Sequence, residues 1–361
     1  MKPLMICLPL ILAICGLGCN STSDSKNENN TVQIDDYSAQ LDSLIQTTDP
    51  RSFNGVVLIT QNGKTQYAAA HGYHHFEEKT PMTLGDKFRI QSNSKQITAV
   101  LILQLVEGGK IDLSSPIRTY LPNLDQTWAD IVTVHHLLNM SSGIVGIHEP
   151  LIFEPGTNYR YSNPAYGLLG RIIEQVTGQT YAEVAHALFQ EVEMQHTFCY
   201  DYDEGRGTVI NGYAQTGNDY RIVDLYELGM TKKGWRDFLP AGGIISNAQD
   251  LNIWDTHLHK GKILTPESYQ RMITYDIKGR HDAFGADTIG YGYGVRVADK
   301  QSPKVIGHAG RGLGFASIKF YIPEKDLDVI VLENVYNDDP SIIYHFEKKI
   351  RELVLSSHLV K

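Results

Sequence analysis

Two residues one helical turn apart, Ser92 and Lys95 in Ser92-Asn93-Ser94-Lys95, have the types and spacing for nucleophilic catalysis. A serine hydroxyl is a weak nucleophile and needs a positioned base. A lysine three residues further on shares its helix face and can reach that hydroxyl. It acts as a base only if burial and nearby positive charge bring its pKa well below the reference of about 10.4. The residues that follow meet the burial condition. From Ile97 to Val106 nearly every position is apolar, and a helix apolar on all sides has to be buried. Its N-terminus adds partial positive charge where Ser92 and Lys95 stand, and Gly108-Gly109 ends it.

Two more short motifs follow. Tyr161-Ser162-Asn163 supplies a phenol for proton transfer and an amide to hold Lys95 and a substrate amide in register. Either Lys95 or Tyr161 can take the first proton from Ser92. His308-Ala309-Gly310 comes third, among C-terminal strands. With a reference pKa of about 6.5, His308 is largely neutral at neutral pH. If its charge contributes, activity on acidic substrates should rise as pH falls through its pKa. The backbone N–H of Ser92 is a natural oxyanion donor, and such donors are typically worth about 3 kcal/mol each. Ser23-Asp24-Ser25-Lys26, Lys232-Lys233-Gly234 and His259-Lys260-Gly261 repeat these patterns without the context.

The elements that must position these residues read as follows. Ile34, Tyr37, Leu41, Leu44 and Ile45 recur at helical spacing, with Asp35 and Asp36 in the first turn. Strands over Gly55–Gln61 and Lys64–Gly72 flank an Asn62-Gly63 hairpin turn. From about 117 to 275 helices dominate, including Leu168–Val176 and Tyr181–Val192, and Ser246 with Gln249 has the form of a capping box. Strands return at Gly292–Val297, Val305–His308, Phe315–Ile322 and Leu327–Asn334, before a last helix carrying Ile343, Phe346, Ile350, Leu353 and Val354. The expected fold class is α+β: an antiparallel sheet built from both termini and flanked by helices, with a mostly helical lobe inserted. The site should lie at the seam of the two lobes. Tyr159, Tyr291 and Tyr293 are candidates to line it or to pack as ordinary aromatics.

Composition narrows the class. The 32 basic and 41 acidic residues leave a net charge of −9, against nucleic-acid binding, which needs a basic footprint. The apolar run from Leu4 to Leu17 suits a signal peptide over residues 1–19 and is too short to span a membrane. It ends at Gly16-Leu17-Gly18-Cys19, similar to a bacterial lipobox with Cys19 as the lipidated residue, although Gly16 stands where leucine is usual. Residues 20–33 are polar and read as a tether, which would make the protein an exported, membrane-anchored lipoprotein of the cell envelope. Only Cys199 then remains in the folded body, most simply a small buried hydrophobe. The histidines at 71, 74, 75, 135 and 136 lack partners at metal-ligand spacing, and no cofactor is expected.

The three motifs, in this order, resemble those of the serine β-lactamase and penicillin-binding protein superfamily, in its class C β-lactamase-like branch. Leu137-Leu138-Asn139-Met140-Ser141-Ser142-Gly143-Ile144, Glu154-Pro155-Gly156-Thr157, Pro240-Ala241-Gly242-Gly243 and Gly314-Phe315 strengthen the likeness, which covers roughly residues 50–335. It implies a hydrolase domain over about 34–358, with Ser92, Lys95 and Tyr161 catalytic and Asn163, His308, Gly310 and Arg311 binding substrate. Arg311 would give the second oxyanion N–H, and its side chain could restore the charge that a lysine at position 308 would carry. The H-x-G form of the third motif occurs in esterases and D-amino-acid peptidases of the superfamily. A peptide or small molecule is the implied substrate, foremost peptides ending in D-amino acids. A carboxylesterase, a β-lactamase and a non-catalytic penicillin-binding sensor are the other implied readings.

Overall fold

The computed structural model describes residues 37–361 apart from 206, 207, 218, 286, 287, 301 and 340. The proposed signal peptide, Cys19 and the tether lie outside the described residues, as do Ile34, Asp35 and Asp36.

Eight strands form one antiparallel sheet: β1 (Gly55–Gln61), β2 (Lys64–His71), β3 (Lys278–Arg280), β4 (Thr288–Tyr291), β5 (Arg296–Ala298), β6 (Val305–Gly312), β7 (Phe315–Ile322) and β8 (Leu327–Glu333). Their spatial order is β3-β4-β5-β6-β7-β8-β1-β2. β1 lies between β2 and the last strand of the sheet, with Val57 opposite both Ala69 and Val331. The sheet is therefore assembled from both ends of the chain, as expected. Asn62 and Gly63, at φ +52° and +71°, make the tight turn between β1 and β2.

Period-two alternation splits the core in two. Val57, Ile59, Val329 and Val331 face the helices α1 (Tyr37–Ile45) and α7 (His345–Ser356) through Leu41, Phe346 and Ile350. Val56, Leu58, Ile330 and Leu332 face the other way, toward α2 (Ser94–Glu107). Because both faces are covered, every residue of β8 is buried.

Between β2 and β3 run α3 (Asn163–Thr177), α4 (Tyr181–Glu191), α5 (Lys232–Gly242) and α6 (Ala248–His259), with short strands at Phe198–Cys199, Tyr213–Thr216, Asp219–Ile222 and Ile244–Ser246. Three local expectations need correction. The capping box read at Ser246 and Gln249 is displaced. Ser246 closes a strand and its hydroxyl pairs with Thr197 Oγ1 at 2.7 Å, so Asn247 caps α6 by accepting from Asp250 N. The strand read over Gly292–Val297 is broken, with β4 ending at Tyr291 and β5 starting at Arg296. The loop between them turns at Gly294 (φ +68°) against Lys95, where an added Cβ would lie 2.5 Å from the Lys95 carbonyl oxygen. Finally, Ser92 precedes α2 proper, in a 3-10 turn over Gln91–Asn93.

Beneath α6 the core holds charge. The Lys319 ammonium donates to Asp255 Oδ1, and Asp328 Oδ2 accepts from Asn252 at 2.7 Å, all fully buried except Asn252. Burial alone would raise Asp255, but Lys319 and His259 bring it down to about 2. Asp328 is held well above the carboxylate range by burial and by the Asp255 charge.

Candidate active site

Ser92 is delivered by a kink. The short strand Phe88–Arg89 brings the chain to Gln91, which sits in the left-handed region at φ +51°. That conformation costs roughly 1–2 kcal/mol in a non-glycine residue and is the kind of strain found at functional sites. The turn is pinned by Gln91 Nε2 donating to Gly312 O at 2.8 Å and Asn93 Nδ2 to Ser317 Oγ at 2.9 Å. Gly310 lets β6 lie directly on this turn, since an added Cβ would stand 2.6 Å from Ile90 O and 2.7 Å from Gln91 Cβ.

The second motif comes from the start of α3. Ser162 caps that helix by accepting from Ala165 N at 3.1 Å, so Tyr161 lies just before the cap and Asn163 just after it. Gly178, at φ +73°, closes the other end.

These elements converge on Lys95, whose Nζ lies 3.1 Å from Ser92 Oγ, 2.8 Å from Asn163 Oδ1 and 2.6 Å from Ala241 O. It also stands 4.8 Å from the Tyr161 ring centroid. Burial first, then the Arg296 charge, hold the Lys95 pKa well below the usual lysine value. A neutral amine has two N–H groups and one lone pair. Lys95 donates to the oxygens of Ala241, Asn163 and Ser92; were it uncharged, the first two would take both its hydrogens and the lone pair would face the Ser92 O–H.

The Tyr161 phenol behaves oppositely. Burial pushes it upward, and although Ser92 and Arg296 favour the ionised form, burial prevails. The Ser92 hydroxyl is near enough to act on it, yet the Tyr161 oxygen closes no hydrogen bond among the described residues. It is a protonated group beside the nucleophile, awaiting an acceptor.

His308 is 1% exposed, with Nδ1 2.6 Å from Ala309 O and Nε2 3.1 Å from Tyr291 Oη. A carbonyl only accepts, so Nδ1 carries the hydrogen and Nε2 accepts from Tyr291. Burial, then Arg296 and Lys95, keep His308 well below the ordinary imidazole range. It stays neutral where the sequence reading allowed it a charge.

The positive charge here is Arg296, which sequence reasoning missed. It is 3% exposed, its guanidinium carbon 5.2 Å from the Tyr291 ring centroid and 5.9 Å from that of Tyr161, and Nη2 donates to Tyr159 Oη at 3.4 Å. Its Nε and Nη1 have no partner among the described residues. Arg311, the residue expected to carry this charge, is exposed at the end of β6, and its charge acts on Tyr344 and His281. The signal available for Arg296 was a lone arginine in the apolar run Tyr291 to Val297. Tyr159 and Tyr291 line this corner, whereas Tyr293 bonds His135 Nδ1 at 2.7 Å.

A sheet built from both termini, an inserted helical lobe, and a serine–lysine–tyrosine cluster at the seam define the serine β-lactamase and penicillin-binding protein superfamily. The chain belongs to the Beta-lactamase family, whose model matches residues 41–348. It is similar to Protein flp of Staphylococcus aureus (strain MRSA252), 23% identical across 87% of this chain and 66% of flp, so it spans about two thirds of that relative's length. Among solved structures, it resembles the octameric penicillin-binding protein homologue from Pyrococcus abyssi, with a TM-score of 0.73 and 26% identity, covering 88% of this chain and 76% of that one. D-amino acid amidase from Ochrobactrum anthropi SV3 shares the fold at a TM-score of 0.74 and 22% identity, covering 88% and 97%.

Proposed function

We propose that the protein is a serine hydrolase that forms an acyl-enzyme on Ser92 and releases a terminal D-amino acid bearing a free carboxylate, from peptidoglycan or its fragments. The observation that carries the reading is Arg296. A buried guanidinium with two unpartnered donors beside the catalytic cluster is costly unless an anion completes it, and a substrate carboxylate fits its planar fork. The D-configuration rests on the likeness to D-amino acid amidase.

In the first step Ser92 Oγ attacks the peptide carbonyl while its proton passes to the Lys95 lone pair. The backbone N–H of Ser92, with that of Arg311 as the family resemblance implies, meets the oxyanion. Collapse expels the amine, which takes a proton from Tyr161, and Lys95 restores that proton to the phenol. Water then attacks the Ser92 ester by the same route in reverse. Asn163 holds Lys95 and the substrate amide, and Arg296 holds the departing carboxylate. The enzyme is exported and held to a membrane through Cys19.

The test is release of D-alanine from Nα-acetyl-D-Ala-D-Ala and from its C-terminal carboxamide. The free acid should be preferred, and Arg296→Gln should cost it roughly a hundredfold in kcat/KM, far more than it costs the amide. Equal cleavage of acid and amide by the wild type would remove the carboxylate from the reading. Turnover of short p-nitrophenyl esters alone would make the protein an esterase.

A further inference from the structure

Beside Asn163 an apolar slot of about 200 Å³ opens between α3 and α5. Ile147, Pro164 and Phe238 wall it. Gly167 brings α3 so close to α5 that an added Cβ would lie 2.5 Å from Asp237 O. The Arg171–Asp237 ion pair, at 2.8 Å, closes the polar end. Only Asn163 belongs both to the slot and to the reaction centre, through its bond to Lys95. The slot is smaller than the roughly 300 Å³ at which whole-ligand pockets begin, so it suits one side chain.

We propose that this slot is the specificity pocket for the residue that donates the acyl group, and that it selects a branched aliphatic or aromatic side chain. The inference rests on the acyl-enzyme reading above. Once Asn163 holds the amide next to the scissile carbonyl, a substituent on the neighbouring carbon lies on the side of the slot that Asn163 itself lines. The walls there are Ile147, Pro164 and Phe238, and the Arg171 and Asp237 charges are already paired with each other, so the free contact surface the slot offers is apolar. Arg296 stands apart from this slot, beside Tyr161 and Tyr291. The two recognition elements therefore divide the substrate, with apolar selection on the acyl residue and anion selection on the leaving one.

The experiment measures kcat/KM for D-alanine release from Nα-acetyl-X-D-Ala, with X as Gly, D-Ala, D-Leu and D-Phe. Wild type should favour D-Leu and D-Phe over Gly by about ten- to a hundredfold. Ile147→Trp, which fills the slot, should erase most of that preference while leaving the Gly substrate within about threefold. Phe238→Ala, which widens it, should lower the D-Leu to Gly ratio and serves if the first variant fails to fold. Equal rates on all four substrates, or equal losses on Gly and D-Phe in a folded variant, would overturn the slot and leave the acyl-enzyme reading intact. Release from none of them, with no Ser92 adduct, would instead overturn that underlying reading.

Discussion

Lys95 and Tyr161 are pushed in opposite directions by one environment. Burial disfavours the charged form of each, lowering Lys95 and raising Tyr161. In the proposed mechanism those directions suit Lys95 to the base and Tyr161 to the acid, an allocation motif spacing leaves open. Arg296 contributes to the first half by opposing a second positive charge. The sign of the resulting pH effect is fixed. In the proposed mechanism activity needs Lys95 unprotonated, so it should rise as pH climbs through the Lys95 pKa. Arg296→Gln removes the opposing cation, raises that pKa, and should move the acid limb of kcat to higher pH. A limb that stays in place, or moves down, would detach Arg296 from Lys95. His308 should add no gain on acidic substrates as pH is lowered through the mildly acidic range, since both ring nitrogens are engaged and its pKa is depressed.

Most of the elements were legible because they follow local rules. The buried helix from Ile97 to Val106, the Asn62-Gly63 turn, and the long strands Phe315–Ile322 and Leu327–Glu333 each announce themselves by periodicity or turn chemistry. The misread places are those where long-range contacts decide. Asn247 caps α6 because Ser246 is committed to a strand and to Thr197. Tyr291 and Arg296 flank a loop folded onto Lys95, and Arg296 gains its meaning only from Tyr159 and Tyr161, more than a hundred residues away. The same applies under α6, where Asp255 meets Lys319, 64 residues away, and Asp328 on the strand paired with that of Lys319. The Asp328 pKa is raised by folding, so its contribution to stability is full below the unfolded carboxyl pKa and is lost as pH rises through the elevated one. Asp328→Asn keeps the shape without the titration. Denaturant unfolding between about pH 5 and pH 8 should show the wild type losing stability relative to this variant as pH rises. Parallel stability curves would show that Asp328 titrates normally.

At the scale of the whole molecule, the chemistry is split among three regions of the chain that meet only when the sheet closes. The turn before α2 brings Ser92, the start of α3 brings Tyr161 and Asn163, and β5 with β6 bring Arg296 and His308. The order of motifs was visible in the sequence, as was the layout that joins them, because both ends of the chain read as strands. A fluorescent penicillin offers a compact test of the assembled site, since its carboxylate and strained amide engage both halves. It should label the protein as a mass adduct that Ser92→Ala abolishes and Arg296→Gln slows. Rapid loss of the adduct with drug hydrolysis would mark a β-lactamase, and absence of any adduct would count against the assembled geometry.

Gly310 has a bearing on how such a protein can diversify. Any single-base change in a glycine codon that alters the encoded residue introduces a side chain, and here the first carbon of that side chain already meets Ile90 O and Gln91 Cβ well inside normal contact. The passage between strand and nucleophile is thus closed to gradual tinkering. Descendants that acquire new substrates have to remodel the rim, at positions such as Ile147 and Phe238, and inherit the throat unchanged.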